Sequence, residues 1–126
     1  MKRIYVPMVP PSPNQLRRTY RNIYAYKRLR EAWERSMAYA LPSAAEQQEL
    51  RAIAAGGKMR VKVTVFNSRE YDPDNLTGCL KPVLDALKNI RFIKDDSRQW
   101  LELLPVEQHH ATRAQAHTLI DIEGVP

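Results

Sequence analysis

Hydrophobic positions along the chain change their period several times, and each change marks an element. Ile4, Val6 and Met8 alternate with Tyr5 and Pro7, which predicts a short strand. Its prolines confine it to a sheet edge or a strand end, because proline offers no N–H to a ladder. Pro10-Pro11-Ser12-Pro13-Asn14 then reads as a stiff, extended loop leading into Arg17, Arg18 and Arg21. From Ile23 the spacing turns helical: Ile23, Tyr26, Leu29, Trp33, Met37 and Leu41 form one stripe, and Pro42 stops it. Ser43 followed by Glu46 has the form of a capping box, opening a second helix that runs to Ala55 before Gly56-Gly57. Met59, Val61, Val63 and Val65 alternate with Arg60, Lys62, Thr64 and Phe66, the clearest strand in the chain. After a polar turn, Asp74-Asn75 introduces a third helical pattern. Leu76, Leu80, Val83, Leu84 and Leu87 share one face, with Lys81, Asp85 and Lys88 opposite. Two more strands are predicted over residues 99–104 and 117–123. The predicted order, β-α-α-β-α-β-β, is that of a single α+β (mixed α/β) domain over residues 1–126, with a mixed sheet of about four strands covered by helices.

A chain of 126 residues is one domain, able to bury roughly two-thirds of its unfolded surface. It has no apolar run long enough to span a membrane, and its first residues lack the apolar region of a signal peptide. The lone Cys79 has no partner for an internal disulfide, which fits a reducing cytoplasm. His109, His110 and His117 lack zinc-site spacing, and no phosphate-binding glycine loop occurs, so neither zinc nor a nucleotide cofactor is expected. Charge adds more. The net charge is +6, yet residues 1–35 hold nine Lys/Arg against two Glu, while the remainder holds eleven against twelve Asp/Glu. A basic third joined to an acid-containing remainder points to a polyanion on one side of the molecule, although a solvated basic face explains the same charge.

The candidate chemistry lies in Tyr71-Asp72-Pro73-Asp74-Asn75-Leu76 and, farther on, Lys81, Asp85 and Asp95-Asp96. Pro73 holds its neighbours extended, so the carboxylates of Asp72 and Asp74 can face the same way. Such a pair is tolerated cheaply in water or around a cation, and Mg²⁺ takes oxygen ligands of this kind. A helix over residues 76–88 would carry the chain about 18 Å away, and seven extended residues would return it about 23 Å, enough to bring Asp96 back. Taken singly, Asp74 is also a good helix N-cap and Asp95-Asp96 a good surface turn.

Asp72-x-Asp74-Asn75-Leu76, Lys81, Asp85-Ala86-Leu87 and Asp95-Asp96, after the early Pro10-Pro11-Ser12-Pro13-Asn14 and its arginines, resemble the RusA family of Holliday junction resolvases. The resemblance spans most of the chain and is most specific over residues 72–96. It implies a bacterial or phage-encoded, cytoplasmic, nucleoid-associated endodeoxyribonuclease of recombination and repair. Such an enzyme uses Mg²⁺, with Mn²⁺ as an alternative, and acts as a homodimer that nicks four-way junction DNA symmetrically. The family's metal-binding and catalytic carboxylates map onto Asp72, Asp74 and Asp96, and its catalytic lysine onto Lys81. Asp95 and Asp85 are second-tier candidates, as orienters or as an i+4 partner for Lys81. One feature departs from the pattern. The family's lysine follows the second aspartate by four residues, and here the gap is seven, as though Thr77-Gly78-Cys79 were inserted. Three residues rotate a helical position by about 60° and advance it about 4.5 Å. Pro82 predicts either a loop over residues 75–80 with a helix starting near Lys81, or a helix distorted near Gly78.

In this reading Arg17, Arg18, Arg21, Lys27, Arg28 and Arg30 contact phosphates along the junction arms, with Arg69 and Lys94 nearer the scissile group. Tyr20 and Tyr24 are placed to stack on exposed bases, whereas Tyr26 lies on the apolar stripe and Trp33 and Trp100 belong in or beside the core. Three rival readings use the same residues: a non-catalytic DNA-binding module, a metal nuclease acting on another branched DNA or on RNA, and a degenerate resolvase whose insertion has displaced Lys81.

Overall fold

Alternation along the central strand decides the layers. The computed structural model describes residues 1–126, in the order β1 (Lys2–Val6), α1 (Pro13–Tyr20), α2 (Ile23–Ala40), α3 (Ala44–Gly56), β2 (Met59–Asn67), α4 (Pro73–Cys79), α5 (Lys81–Asn89), β3 (Leu101–Leu103), β4 (Glu107–His110) and β5 (His117–Gly124). A single 3-10 turn, Arg113–Gln115, precedes β5. The strands form one mixed sheet in the order β1-β5-β2, with β3 and then β4 along the far edge of β2. β1 and β5, and β5 and β2, are antiparallel, whereas β3 and β4 run parallel to β2. The fold is the α+β class anticipated, and β1 occupies the predicted edge.

One face of the sheet is apolar apart from Thr118 and, on β4, Gln108. Ile4, Val6, Met59, Val61, Val63, Ile120 and Ile122 are wholly buried, as are Trp33 and Met37 of α2 and Val83, Ala86 and Leu87 of α5. Burying each large aliphatic side chain is worth about 1.5–3 kcal/mol, so this helix-covered face carries most of the stability. The other face is polar and laddered. Arg3 pairs with Asp121 at 2.8 Å, Arg60 with Glu102 at 2.8 Å and with Glu123 at 3.3 Å, and Lys62 with Glu107 at 2.9 Å.

Several elements differ from expectation. The extended loop after Pro10 ends sooner than predicted, because Ser12 caps α1: its hydroxyl accepts the Gln15 N–H while Gln15 accepts the Ser12 N–H. At Ser43 only half of the box forms, since Glu46 turns its carboxylate to Lys2 at 3.6 Å. The α2 stripe sinks into the core only from Trp33 onward. Ile23 stays 78% exposed, so the first turn of α2 overhangs the domain together with α1. The predicted strand over residues 99–104 shortens to β3, and beyond Pro105 the chain forms a further strand that was not predicted, β4, beside Thr64–Asn67. The third helix is also two. Pro82 sits in the first turn of α5, where its missing N–H costs nothing, and residues 75–80 belong to the separate helix α4 and its cap rather than to a loop.

The return from α5 is not extended either. Arg91 adopts φ 67°, and the Phe92 and Ile93 N–H groups both reach back to the Leu87 carbonyl. A left-handed conformation costs a residue with a Cβ about 1–2 kcal/mol. Burial of Phe92 and Ile93, both fully inaccessible, holds it in place.

Candidate active site

The acidic segment is positioned by the edge strand β4. Gln108 accepts the Tyr71 N–H at 3.1 Å and donates to the Tyr71 carbonyl at 2.6 Å, fixing the residue that precedes Asp72. Asp72 is then the N-cap of α4, Pro73 its first residue, and Asp74 lies in its first turn. The predicted cap at Asp74 is thus two residues late. Neither residue is spent structurally: Asp72 makes no side-chain capping bond, both are exposed, and neither forms an ion pair.

α1 packs beside α4, leaving a recess of about 320 Å³ with Arg17 and Tyr20 on one wall and Asp74, Asn75, Gly78 and Cys79 on the other. Arg17 bonds only to Pro13 and Asn14, and Arg18, Arg21 and Arg28 form no ion pair, so four guanidinium groups here have no acidic partner. Lys27 and Arg30 are partly engaged, by Glu31 at 3.9 Å and Glu34 at 3.0 Å. Between the arginines, Tyr20 is 46%, Ile23 78% and Tyr24 70% exposed. An apolar tip on a basic arm has the composition of a wedge that unstacks bases. Arg69, also exposed, lies three residues before Asp72 and lines a polar recess with Asn67, Ser68, Gln108 and His109.

Lys81 and Asp85 are drawn into a different network. The Lys81 ammonium lies 3.9 Å from Asp85, the predicted i+4 pair, and the Tyr26 hydroxyl donates a short hydrogen bond to the same carboxylate. Burial, then that hydrogen bond and the charge of Asp85, push the Tyr26 phenol up from its ordinary value. Tyr20 is raised in the same direction, chiefly by burial. Unfolded tyrosine ionises near pH 10, so the stability tied to these protons is present below about pH 10 and lost as pH rises from there. Tyr26→Phe should therefore lower stability at neutral pH by about 1–2 kcal/mol and flatten the loss above pH 10. Denaturant titrations at pH 7 and 10.5 measure both; an unchanged alkaline slope would exclude Tyr26 as its source.

Asp96 does not join Asp72 and Asp74 within one chain. Trp100 and Leu101 both donate backbone N–H groups to Ser97, and Leu101 pairs with Met59, so Asp96 sits near the start of β2. Tyr71 is bonded at the level of Gln108, opposite Val65. Six residues of strand separate those levels, about 20 Å. The extended return anticipated for residues 89–96 is lost because the chain coils at Arg91 and buries Phe92 and Ile93. No three His, Cys, Asp or Glu side chains come together as a metal-holding group. Asp95 is a turn residue: the Asp96 N–H above all, with Ser97 and Lys88, holds its carboxyl below the usual range. Lys94 lies over the Trp100 ring at 4.1 Å, at the same end of β2 as Asp96.

No family model matches the chain, and neither does any curated protein. No helix is long and apolar enough to cross a membrane.

Sequence reasoning missed Gln108, the residue that fixes the acidic segment. Glu107-Gln108-His109-His110 has no apolar alternation, and the partner lies 37 residues away, so nothing local marks it.

Proposed function

We propose that the chain is a divalent-ion-dependent endonuclease of four-way DNA junctions, of the RusA type, acting as a homodimer. The observation that carries this reading is the α1–α4 recess, where the unspent carboxylate of Asp74 faces the acid-free Arg17. In one chain the residues do not fit a three-carboxylate metal site, because Asp96 is at the other end of β2. Symmetric nicking requires two sites related by a two-fold axis, and an isologous dimer, in which residue i meets j and j meets i, is able to bring opposite ends of two identical chains together twice over. The third carboxylate is therefore assigned to the partner copy: Asp72 and Asp74 of one chain complete their site with the other chain's Asp96.

The roles of this chain's own groups follow. Arg17, Arg18, Arg21 and Arg28 hold backbone phosphates and set the register of the junction arms, without reading bases. Tyr20, Ile23 and Tyr24 enter the crossover, where bases are already strained. Asp72 and Asp74 supply the negative pole for a cation beside the scissile phosphate, and Arg69 lies close enough in sequence to steady that phosphate. Lys81 is held by Asp85 and would act only after leaving it.

A second reading is favoured by the separation of the carboxylates and the engagement of Lys81: a junction-binding module without catalysis. Incubating a mobile four-way junction with the protein in Mg²⁺, in Mn²⁺ and in EDTA decides between them. The endonuclease reading expects paired, symmetry-related nicks with either metal and binding alone in EDTA. Tight binding without nicks in any condition would leave the binding module.

A further inference from the structure

Away from the α1–α4 recess, a second concentration of positive charge lies at the start of β2. α3 ends there, with Ile53 against Gly124, which pairs with Met59. α5 ends beside it, and between them lies a recess of about 330 Å³. Its wall carries Arg51, Lys88, Arg91 and Lys94, its floor Ala54 and Ile93, and no carboxylate lines it. Four like charges around one concavity repel one another, least so in water or around an anion.

Local structure accounts for only some of these cations. Arg51 donates to the Ile90 carbonyl at 3.0 Å and lies 5.6 Å from the Phe92 ring centre, so part of its guanidinium neutralises the C-terminus of α5. Lys88 is 3.9 Å from Asp95 on the rim, both groups being well exposed. Lys94 covers Trp100 and has no acidic partner, and neither has Arg91. Arg91 is the informative one. It alone among non-glycine residues has a positive φ, at 67°, where glycine or asparagine fits more easily. A strained cation kept at the mouth of a cationic recess points to a use for its charge.

We propose that this recess is a second phosphate-binding site, which takes a backbone phosphate of a DNA arm at the end of each chain away from that chain's own Asp72 and Asp74, and hence, in the proposed dimer, beside the centre that its Asp96 completes. The choice of DNA rests on the junction-binding reading; the recess itself requires only a phosphate oxyanion. A recess open to solvent and walled from α3, α5 and the following turn suits a phosphate on a polymer, held by long side chains as the duplex passes over it. In the proposed dimer, each centre would then be flanked by two phosphate-holding regions, the α1–α4 overhang of one chain and this recess of the other.

The test uses Arg91→Gly with Lys94→Gln. The glycine relieves the positive φ, so the fold is not at risk, and thermal melting checks it. Junction binding is measured against salt, and inorganic pyrophosphate is titrated into labelled protein followed by NMR. Each lost phosphate contact lowers the slope of log K against log salt by about 0.9, so the double variant should lose about 1.8, or roughly 60-fold at 0.1 M relative to 1 M salt. Pyrophosphate should shift the signals of Arg51, Lys88, Arg91 and Lys94 in the wild type. An unchanged salt slope with a binding-competent variant overturns the DNA site, and shifts without a slope change identify a free phosphate compound as the ligand instead. If the wild type binds no junction, the junction reading fails by itself; pyrophosphate shifts would then support the phosphate recess, and their absence would overturn it.

Discussion

Asp74→Asn should lower the rate of junction cleavage by about a thousandfold or more while leaving junction binding within a few-fold of the wild type. The substitution keeps the shape of the side chain and removes one negative charge. Asp74 forms no ion pair and is exposed, so no folded contact is lost with it. Its one structural use is a favourable position in the first turn of α4, worth about 0.3–1 kcal/mol. Stability should fall by no more than that. Loss of a ligand to a catalytic cation removes several kcal/mol of transition-state stabilisation, and each 1.36 kcal/mol is tenfold in rate. Binding rests instead on arginines that the substitution leaves untouched. Single-turnover cleavage of a synthetic mobile junction, beside a gel-shift titration in EDTA, measures the two effects separately. A variant that nicks at the wild-type rate would remove Asp74 from the site.

The second large effect concerns stability. Phe92→Ala should destabilise the fold by about 3–5 kcal/mol, the range for emptying an aromatic site in a closed core. Phe92 is fully buried, and Ile93 beside it as well, where the chain leaves α5. The same two residues hold Arg91 in its left-handed conformation. Without the ring, the turn has less to offset that strain. For a domain near this size each kcal/mol moves the midpoint by about 3–6 °C, so a fall of at least 10 °C is expected in thermal unfolding. A shift under 3 °C would mean that the turn is held by something other than its buried side chains.

How much of this was legible beforehand depends on the range of the interaction that decides each element. β2 and β5 announce themselves by alternation, and α2 by its stripe, because one face of each meets a continuous apolar layer. α1 was missed although its signal is local: Ser12-Pro13-Asn14-Gln15 has the same cap spacing as Ser43–Glu46, but the surrounding prolines suggested an extended chain. β4 was not legible. It is polar on both sides and exists because β2 offers a free edge that no local pattern reveals. The exposed end of the α2 stripe is a related failure: Ile23 has helical spacing, yet the sheet does not extend beneath it.

The candidate site divides in the same way. Asp72-Pro73-Asp74 is local, and the structure leaves both carboxylates free as that segment suggested. The pairing of Lys81 with Asp85 follows from helical spacing alone. The position of Asp96 does not, because it depends on whether residues 90–96 run extended or coil. Long-range burial of Phe92 and Ile93 settles that question. The basic residues divide too, into an overhang carrying Arg17, Arg18, Arg21 and Arg28 and a distant recess that includes Lys94.

The central claim is that the acidic site is completed between two chains, and subunit mixing tests it most directly. Asp74→Asn and Asp96→Asn are each expected to be inactive as homodimers. When the two are mixed and allowed to exchange, about half of the dimers hold one copy of each. In such a dimer a shared site places both lesions in one centre and leaves the other intact. The account predicts that single, unpaired nicks reappear in the mixture, although neither variant cuts alone. A mixture that forms heterodimers yet stays inactive would contradict it, because each centre would then be carrying a lesion of its own chain.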